Sequence, residues 1–312
     1  MSDTNAAAQR LRGTMTACRV HFTWLGLRRT LTPEQKARAA DAFQASGRFL
    51  SAGKKLLDTG HPSVRKVTGV KSSIQKFWQG VTVPYPEAGV RLIPQRRVED
   101  FAATMAGYQA DLAEAVGQLQ VAMPELKAAA KARLGDLFCD GDYPKRLEAL
   151  FAVEWDFPSV EPPAYLQDLS PEIYEEERRR VQQRFEEAVR LTEEAFTAEF
   201  GKLVGHLTER LAEPGPGEPK RVFRDSAVEN LSEFFARFGE LSVRNNDELD
   251  RLVERARAAV RGVGAQDLRE KGALRRQIVR DLSQVRQSLD ALMVERPRRR
   301  ILRSPQAAAA VA

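Results

Sequence analysis

The side chains whose types invite chemistry are few. His21, His61 and His206 are the only histidines, and none has a second His, Cys or carboxylate at the spacing a metal site needs. Glu154 and Asp156 flank Trp155. On a strand, residues i and i+2 share a face, so these carboxylates could form an acid/base pair or hold a hard cation. Solvated strand positions account equally well for the pattern, and an enzyme built on it would need a pocket lined by Glu154, Asp156 and His21. Cys18 and Cys139 lie far apart without a CxxC, which argues against a disulfide framework or a zinc site and for small buried side chains. Gly135, Gly141, Gly215 and Gly217 match neither the P-loop nor the dinucleotide-binding glycine pattern. The expectation is no catalytic residue, no metal and no cofactor.

Charge offers more. The net charge of +6 hides a segregation: residues 1–97 hold 17 Lys+Arg against 5 Asp+Glu, residues 98–213 hold 12 against 24, and residues 214–312 hold 20 against 14. An acidic middle between basic ends predicts internal complementarity, with a basic face kept for a polyanion as the alternative. Lys54, Lys55, Arg65, Lys66, Lys71 and Lys76, with Phe77 and Trp78 nearby as stacking groups, are the best nucleic-acid candidates. Arg298, Arg299 and Arg300 sit in a second basic run, 296–303. No helix-turn-helix, zinc finger or RNA-clamp motif accompanies them. Glu175-Glu176-Glu177 and Arg178-Arg179-Arg180 can pair along a helix at a spacing of three, worth about 0.2–0.5 kcal/mol per pair, and are read as a solvated face.

The elements that must carry these residues are mainly helical. Ser170 and Pro171 start a helix that runs to about Glu213, with Tyr174, Val181, Phe185, Ala188, Phe196, Phe200, Leu203 and Leu207 on one stripe about 60 Å long. Residues 98–138 carry a second stripe through Phe101, Met105, Tyr108, Leu112, Leu119 and Leu126, with Pro124 expected to kink it near Val121. The simplest packing is an antiparallel, coiled-coil-like pair of these two helices. Alternation predicts strands at residues 18–24 and 152–157 and two short ones within 81–93, the latter on edges or loosely paired because of Pro84, Pro86 and Pro94. Shorter helices are expected from Thr32 to Ala45, over 48–57 and over 62–79. After a Pro-Gly linker, 214–224, further helices fill 225–295 as a second bundle, the last of them a single helix over 266–294. Residues 1–17 and the basic tail 296–312 are expected to lie outside the ordered domains, the former disordered.

Val20-x-Phe22-x-Trp24-x-Gly26-x-Arg28-Arg29-x-Leu31, then Gly80-Val81-x-Val83-Pro84, then the long helix leading to Phe151-x-Val153-x-Trp155 resemble an uncharacterised helical family of bacteria and their phages, over residues 18–163. Its members are often encoded beside MoxR-type AAA ATPases and von Willebrand factor A domain proteins. The resemblance implies an accessory or adaptor protein that works with an ATPase, and it carries over no site residue. The expected protein is therefore mainly α, with a long helical pair, a small β-sheet at one end and a C-terminal helical bundle, domain 18–213 preceding region 225–295. Its expected function is that of a non-enzymatic scaffold or adaptor binding protein partners, with nucleic-acid binding as the alternative and homo-oligomers open. No run is apolar enough to span a bilayer and no secretory signal opens the chain, which points to the cytoplasm.

Overall fold

The computed structural model describes residues 3–212 and 225–295. The expected linker 214–224 and basic tail 296–312, with Arg298, Arg299 and Arg300, lie outside them. In chain order the elements are α1 (Asp3–Thr14), β1 (Met15–Trp24), β2 (Arg28–Thr30), α2 (Pro33–Asp41), β3 (Gly53–Lys55), α3 (Pro62–Gly80), β4 (Val83–Pro84), β5 (Val90–Pro94), α4 (Val98–Leu134), β6 (Phe151–Asp156), α5 (Tyr165–Leu169), α6 (Pro171–Leu211), α7 (Ser226–Leu241), α8 (Asp247–Val260), α9 (Ala265–Glu270) and α10 (Gly272–Glu295). The chain is mainly helical with a small antiparallel sheet. It divides into two compact units, one of Arg12–Val181 and one of Met1–Leu11 with Gln182–Ala312, so the division falls inside α6 and not near 213.

In the first unit, β1 is the spine of a four-stranded antiparallel sheet of order β4-β5-β1-β6. The period-two pattern puts Cys18, Val20, Phe22 and Trp24 on one face, in register with Trp155, Val153 and Phe151 of β6 through Val20↔Trp155, Phe22↔Val153 and Trp24↔Phe151. β5 is an interior strand, not an edge, because Pro94 occupies its last position, where a missing N–H costs little. Pro84 stays on the edge strand β4.

That sheet face is covered by α3 and α4. Val64, Val67 and Ile74 of α3 and Phe101, Met105, Leu112, Val116, Leu119, Met123 and Leu126 of α4 form one core with Cys18, Val20, Ile93, Phe151 and Val153. Phe77 stacks on Phe101 at 5.6 Å between ring centroids and tilts against Tyr108 at 5.8 Å. Helix α4 runs unbroken through Pro124 and stops at Leu134, where Gly135 takes a φ of 50°. Its anchors on either side, Leu119, Met123 and Leu126, are all buried, which holds the helix together across the lost backbone hydrogen bond.

The second unit has its own aromatic core. Phe196 and Phe200 of α6 pack on Phe234, Phe235 and Phe238 of α7, with Phe200 stacked on Phe234 at 5.1 Å. Helix α8, capped by the Asn246 side chain, packs on α10, whose Ile278, Leu282, Val285 and Leu289 are buried.

The expected pairing of the two long helices is corrected here. The α4 stripe is covered by α3 and the sheet, and Phe196 and Phe200 of α6 are covered by α7, so the two stripes meet different partners there. An apolar stripe states that a face must be covered and leaves open by what. The N-terminus is also corrected: α1 is a helix with Ala7, Ala8 and Leu11 buried, and Asn5 accepts from Gln182 at 3.2 Å. Alanine forms helix at the lowest entropic cost, so an Ala-rich segment orders once a surface receives it. The expected helix over 48–57 is instead a 3₁₀ turn, Gly47–Phe49, followed by β3, and the last helix is broken at Lys271 into α9 and α10.

Replacing Phe200 by Ala removes a fully buried ring from the second unit, and the expected cost is about 3–5 kcal/mol in urea-induced unfolding followed by circular dichroism. A loss under about 1 kcal/mol would contradict the assignment of this ring to a tightly packed core.

Candidate functional site

The six basic candidates of residues 54–76 do not form one surface. Lys54, at the middle of β3, is buried to 7% exposure. Its ammonium donates to the Leu137 carbonyl at 2.6 Å and pairs with Asp142 at 2.6 Å, so it is an internal tie. Lys66 pairs with Glu114 at 2.8 Å, joining α3 to α4. The Lys71 ammonium lies over the rings of Trp24 at 4.3 Å and Phe22 at 5.0 Å, a cation–π contact that covers the open end of the sheet. Three of the six are thus used inside the fold, while Lys55, Arg65 and Lys76 are exposed. Phe77 is partly buried against the core, where it packs on Phe101 and Tyr108.

The remaining candidates also have local work. His61 caps α3, its ring nitrogen accepting from the Ser63 backbone N–H and lying 2.8 Å from the Ser63 hydroxyl. His206 is exposed and receives a hydrogen bond of 3.4 Å from Arg210. His21 stands opposite Glu154 on the outer sheet face, where both are exposed. Asp156 on that face is engaged by Arg19 at 3.0 Å and 2.5 Å, and this guanidinium holds its carboxyl below the ordinary range. Among the described residues no cluster of three or more His, Cys, Asp or Glu side chains is placed to hold a metal. Cys18 is buried, which pushes its thiol up to about 12, whereas Cys139 is exposed, in the irregular stretch after α4, contrary to the expectation for both. Arg178 pairs with Glu175, and Arg180 with Glu176 and Glu177, along α6 as the spacing predicts.

What the spacing did not reveal is a lobe spanning residues 28–55. Strands β2 and β3 close its base through Arg28↔Lys55, Arg29↔Lys54 and Thr30↔Gly53. Gly53 fits closely there, since a Cβ would lie 3.0 Å from the Arg29 carbonyl oxygen and the ribbon would have to give by a few tenths of an ångström. Thr32 and Gln35 exchange a capping box at the start of α2. The chain then turns back through Gln44, with a φ of 52°, and the 3₁₀ turn Gly47–Phe49 lies against Ala37. At the exposed side stand Phe43 and Phe49, 81% and 93% accessible. Residues 28–55 carry seven Lys+Arg against Glu34 and Asp41. Among the described residues, Arg28, Arg29, Lys36, Arg38, Arg48 and Lys55 make no ion pair, and Lys54 is the one cation of the lobe that does. Arg28 and Lys55, both exposed, are directly opposite each other across the ribbon. The available sequence signal was two phenylalanines set among seven cations and two acids.

The chain matches no family model, no curated protein and no solved structure. No helix among the described residues is long and apolar enough to cross a membrane.

Lys54→Met is expected to destabilise the first unit by about 3–5 kcal/mol because it strands the Asp142 carboxylate, whereas Lys55→Met changes stability by less than about 0.5 kcal/mol; thermal and urea melts of the two variants compare them. Arg19→Leu is expected to return the Asp156 carboxyl towards its ordinary value, seen by carbon-13 NMR titration. Because the folded value is the lower one, the stabilisation from this pair is complete above the unfolded carboxyl value and is lost as pH falls through the folded one.

Proposed function

We propose that this chain is a non-enzymatic adaptor that binds an acidic protein surface through the lobe of residues 28–55. The observation that carries the reading is the direct opposition of Arg28 and Lys55 with no acid between them, on a lobe that also exposes Phe43 and Phe49. Like charges facing each other across a strand pair destabilise the free protein, and an anionic partner turns that repulsion into attraction. Each phenylalanine offers about 150–250 Å² of surface to bury, the size of an interface anchor. The resemblance of residues 18–163 to a family encoded beside AAA ATPases makes such an ATPase, or a von Willebrand factor A domain protein, the partner to seek first.

A second reading, nucleic-acid binding, is favoured by the same lobe, since Phe43 and Phe49 could stack on unpaired bases between phosphate-binding arginines. Arg65 and Lys76, exposed in the same unit, are the further cations this reading would draw on, with Arg298, Arg299 and Arg300 as candidates from the sequence alone.

A photo-crosslinking residue at position 49, used in the native host, identifies the partner, which is then purified and titrated. Phe43→Ser with Phe49→Ser is expected to weaken binding of that protein by about a hundredfold or more. No saturable protein binding below about 100 µM, together with oligonucleotide binding at about 50 mM salt that collapses as salt rises, would replace the adaptor reading by the nucleic-acid one.

A further inference from the structure

A second exposed apolar surface lies in the same unit, with the opposite charge. Tyr165 and Leu169 of α5 and Ile173 in the first turn of α6 are spaced by four and are 61%, 74% and 51% accessible. The stretch 161–177 that carries them holds six Asp+Glu and no Lys or Arg. Glu161 is engaged by Arg12, and Glu175 to Glu177 share Arg178 and Arg180, but Asp168 and Glu172, beside the apolar residues, make no ion pair among the described residues. Neither this stripe nor the basic lobe covers the other within one molecule, since Phe43 and Phe49 are as open as Leu169.

We propose that the acidic surface recognised by the lobe is the 161–177 stripe of a second copy of this chain, a proposal that rests on the adaptor reading of the lobe. Each surface supplies what the other lacks. The lobe has two aromatic anchors among six unpaired cations, and the stripe has three apolar anchors beside unpaired carboxylates. One contact accounts for both exposed patches at once. A lobe of 28 residues is also about the 20–30 residues that one side of a standard interface contains. Each copy carries both surfaces, so two copies that satisfy each other's lobe and stripe reciprocally close as a two-fold dimer, and copies that satisfy one contact at a time continue head to tail into a ring or a filament.

The full-length protein is tested by light scattering and sedimentation from about 5 to 200 µM, at low salt and at about 0.5 M salt. The wild type is expected to associate with concentration, to a closed dimer or to larger assemblies, and to revert towards monomer in high salt. Two variants break one surface each: Phe43→Ser/Phe49→Ser/Lys55→Glu in the lobe, and Tyr165→Ser/Leu169→Ser/Glu172→Lys in the stripe. All six positions are exposed, and thermal melts check that both variants fold. Each variant alone is expected to be monomeric, while an equal mixture forms a one-to-one dimer and stops there, because the only intact lobe meets the only intact stripe. A wild type that stays monomeric at about 200 µM, variants that assemble as the wild type does, or a mixture that never dimerises each overturns the proposal. If either variant fails to fold, the wild-type concentration and salt series decides alone. A monomeric wild type whose lobe variant still loses a crosslinked foreign protein sinks self-docking and leaves the adaptor reading standing. A lobe that binds only single-stranded oligonucleotide sinks both.

Discussion

Strand β1 is hydrogen-bonded along both edges, to β5 and β6, and its apolar side has to be covered. Most of the first unit follows from that requirement. Cys18 and Val20 are removed from water by α4, whose stripe is consumed in doing so, and α3 fills the remaining groove through Val67, Ile74 and Phe77. With the α4 stripe committed, the phenylalanines of α6 are met by those of α7, and the second unit acquires a separate aromatic core. Each phenylalanine so buried contributes about 1.5–3 kcal/mol relative to exposure, enough for the choice of partner to decide the fold.

The same covering requirement recruits charges. Basic side chains from the N-terminal third reach acidic ones from the middle of the chain: Arg19 to Asp156, Lys54 to Asp142 and Lys66 to Glu114. Lys71 covers Phe22 and Trp24 where no helix does. The segregation visible in the sequence is thus partly internal complementarity. The pair with the more buried lysine, Lys54–Asp142, binds β3 to the end of the α4 region and is worth far more to lose than an exposed pair such as Lys66–Glu114.

The lobe of residues 28–55 stands outside this economy. Apart from Lys54 its cations lack acids among the described residues, its phenylalanines lack cover, and its ribbon sets Arg28 against Lys55. Exposed apolar groups beside unbalanced charge are the kind of surface that a complementary partner covers. The acidic, apolar stretch 161–177 is the complementary anomaly, and the proposed reading joins these two least satisfied parts of the first unit.

Local pattern by itself determined the strands at 18–24 and 152–157, the helices begun by Pro62 and Pro171, the Asn246 cap and the paired run 175–180, because alternation, capping and i,i+3 spacing act between neighbours in the chain. Tertiary structure alone decided which stripe lies on which, that the Ala-rich start is helical because Ala7 and Ala8 are covered, and that Lys54 is inside while Lys55 is outside. Adjacent lysines look alike in sequence. A one-residue step along a strand reverses the face, and which face is buried depends on partners distant in the chain, here Asp142 and the Leu137 carbonyl.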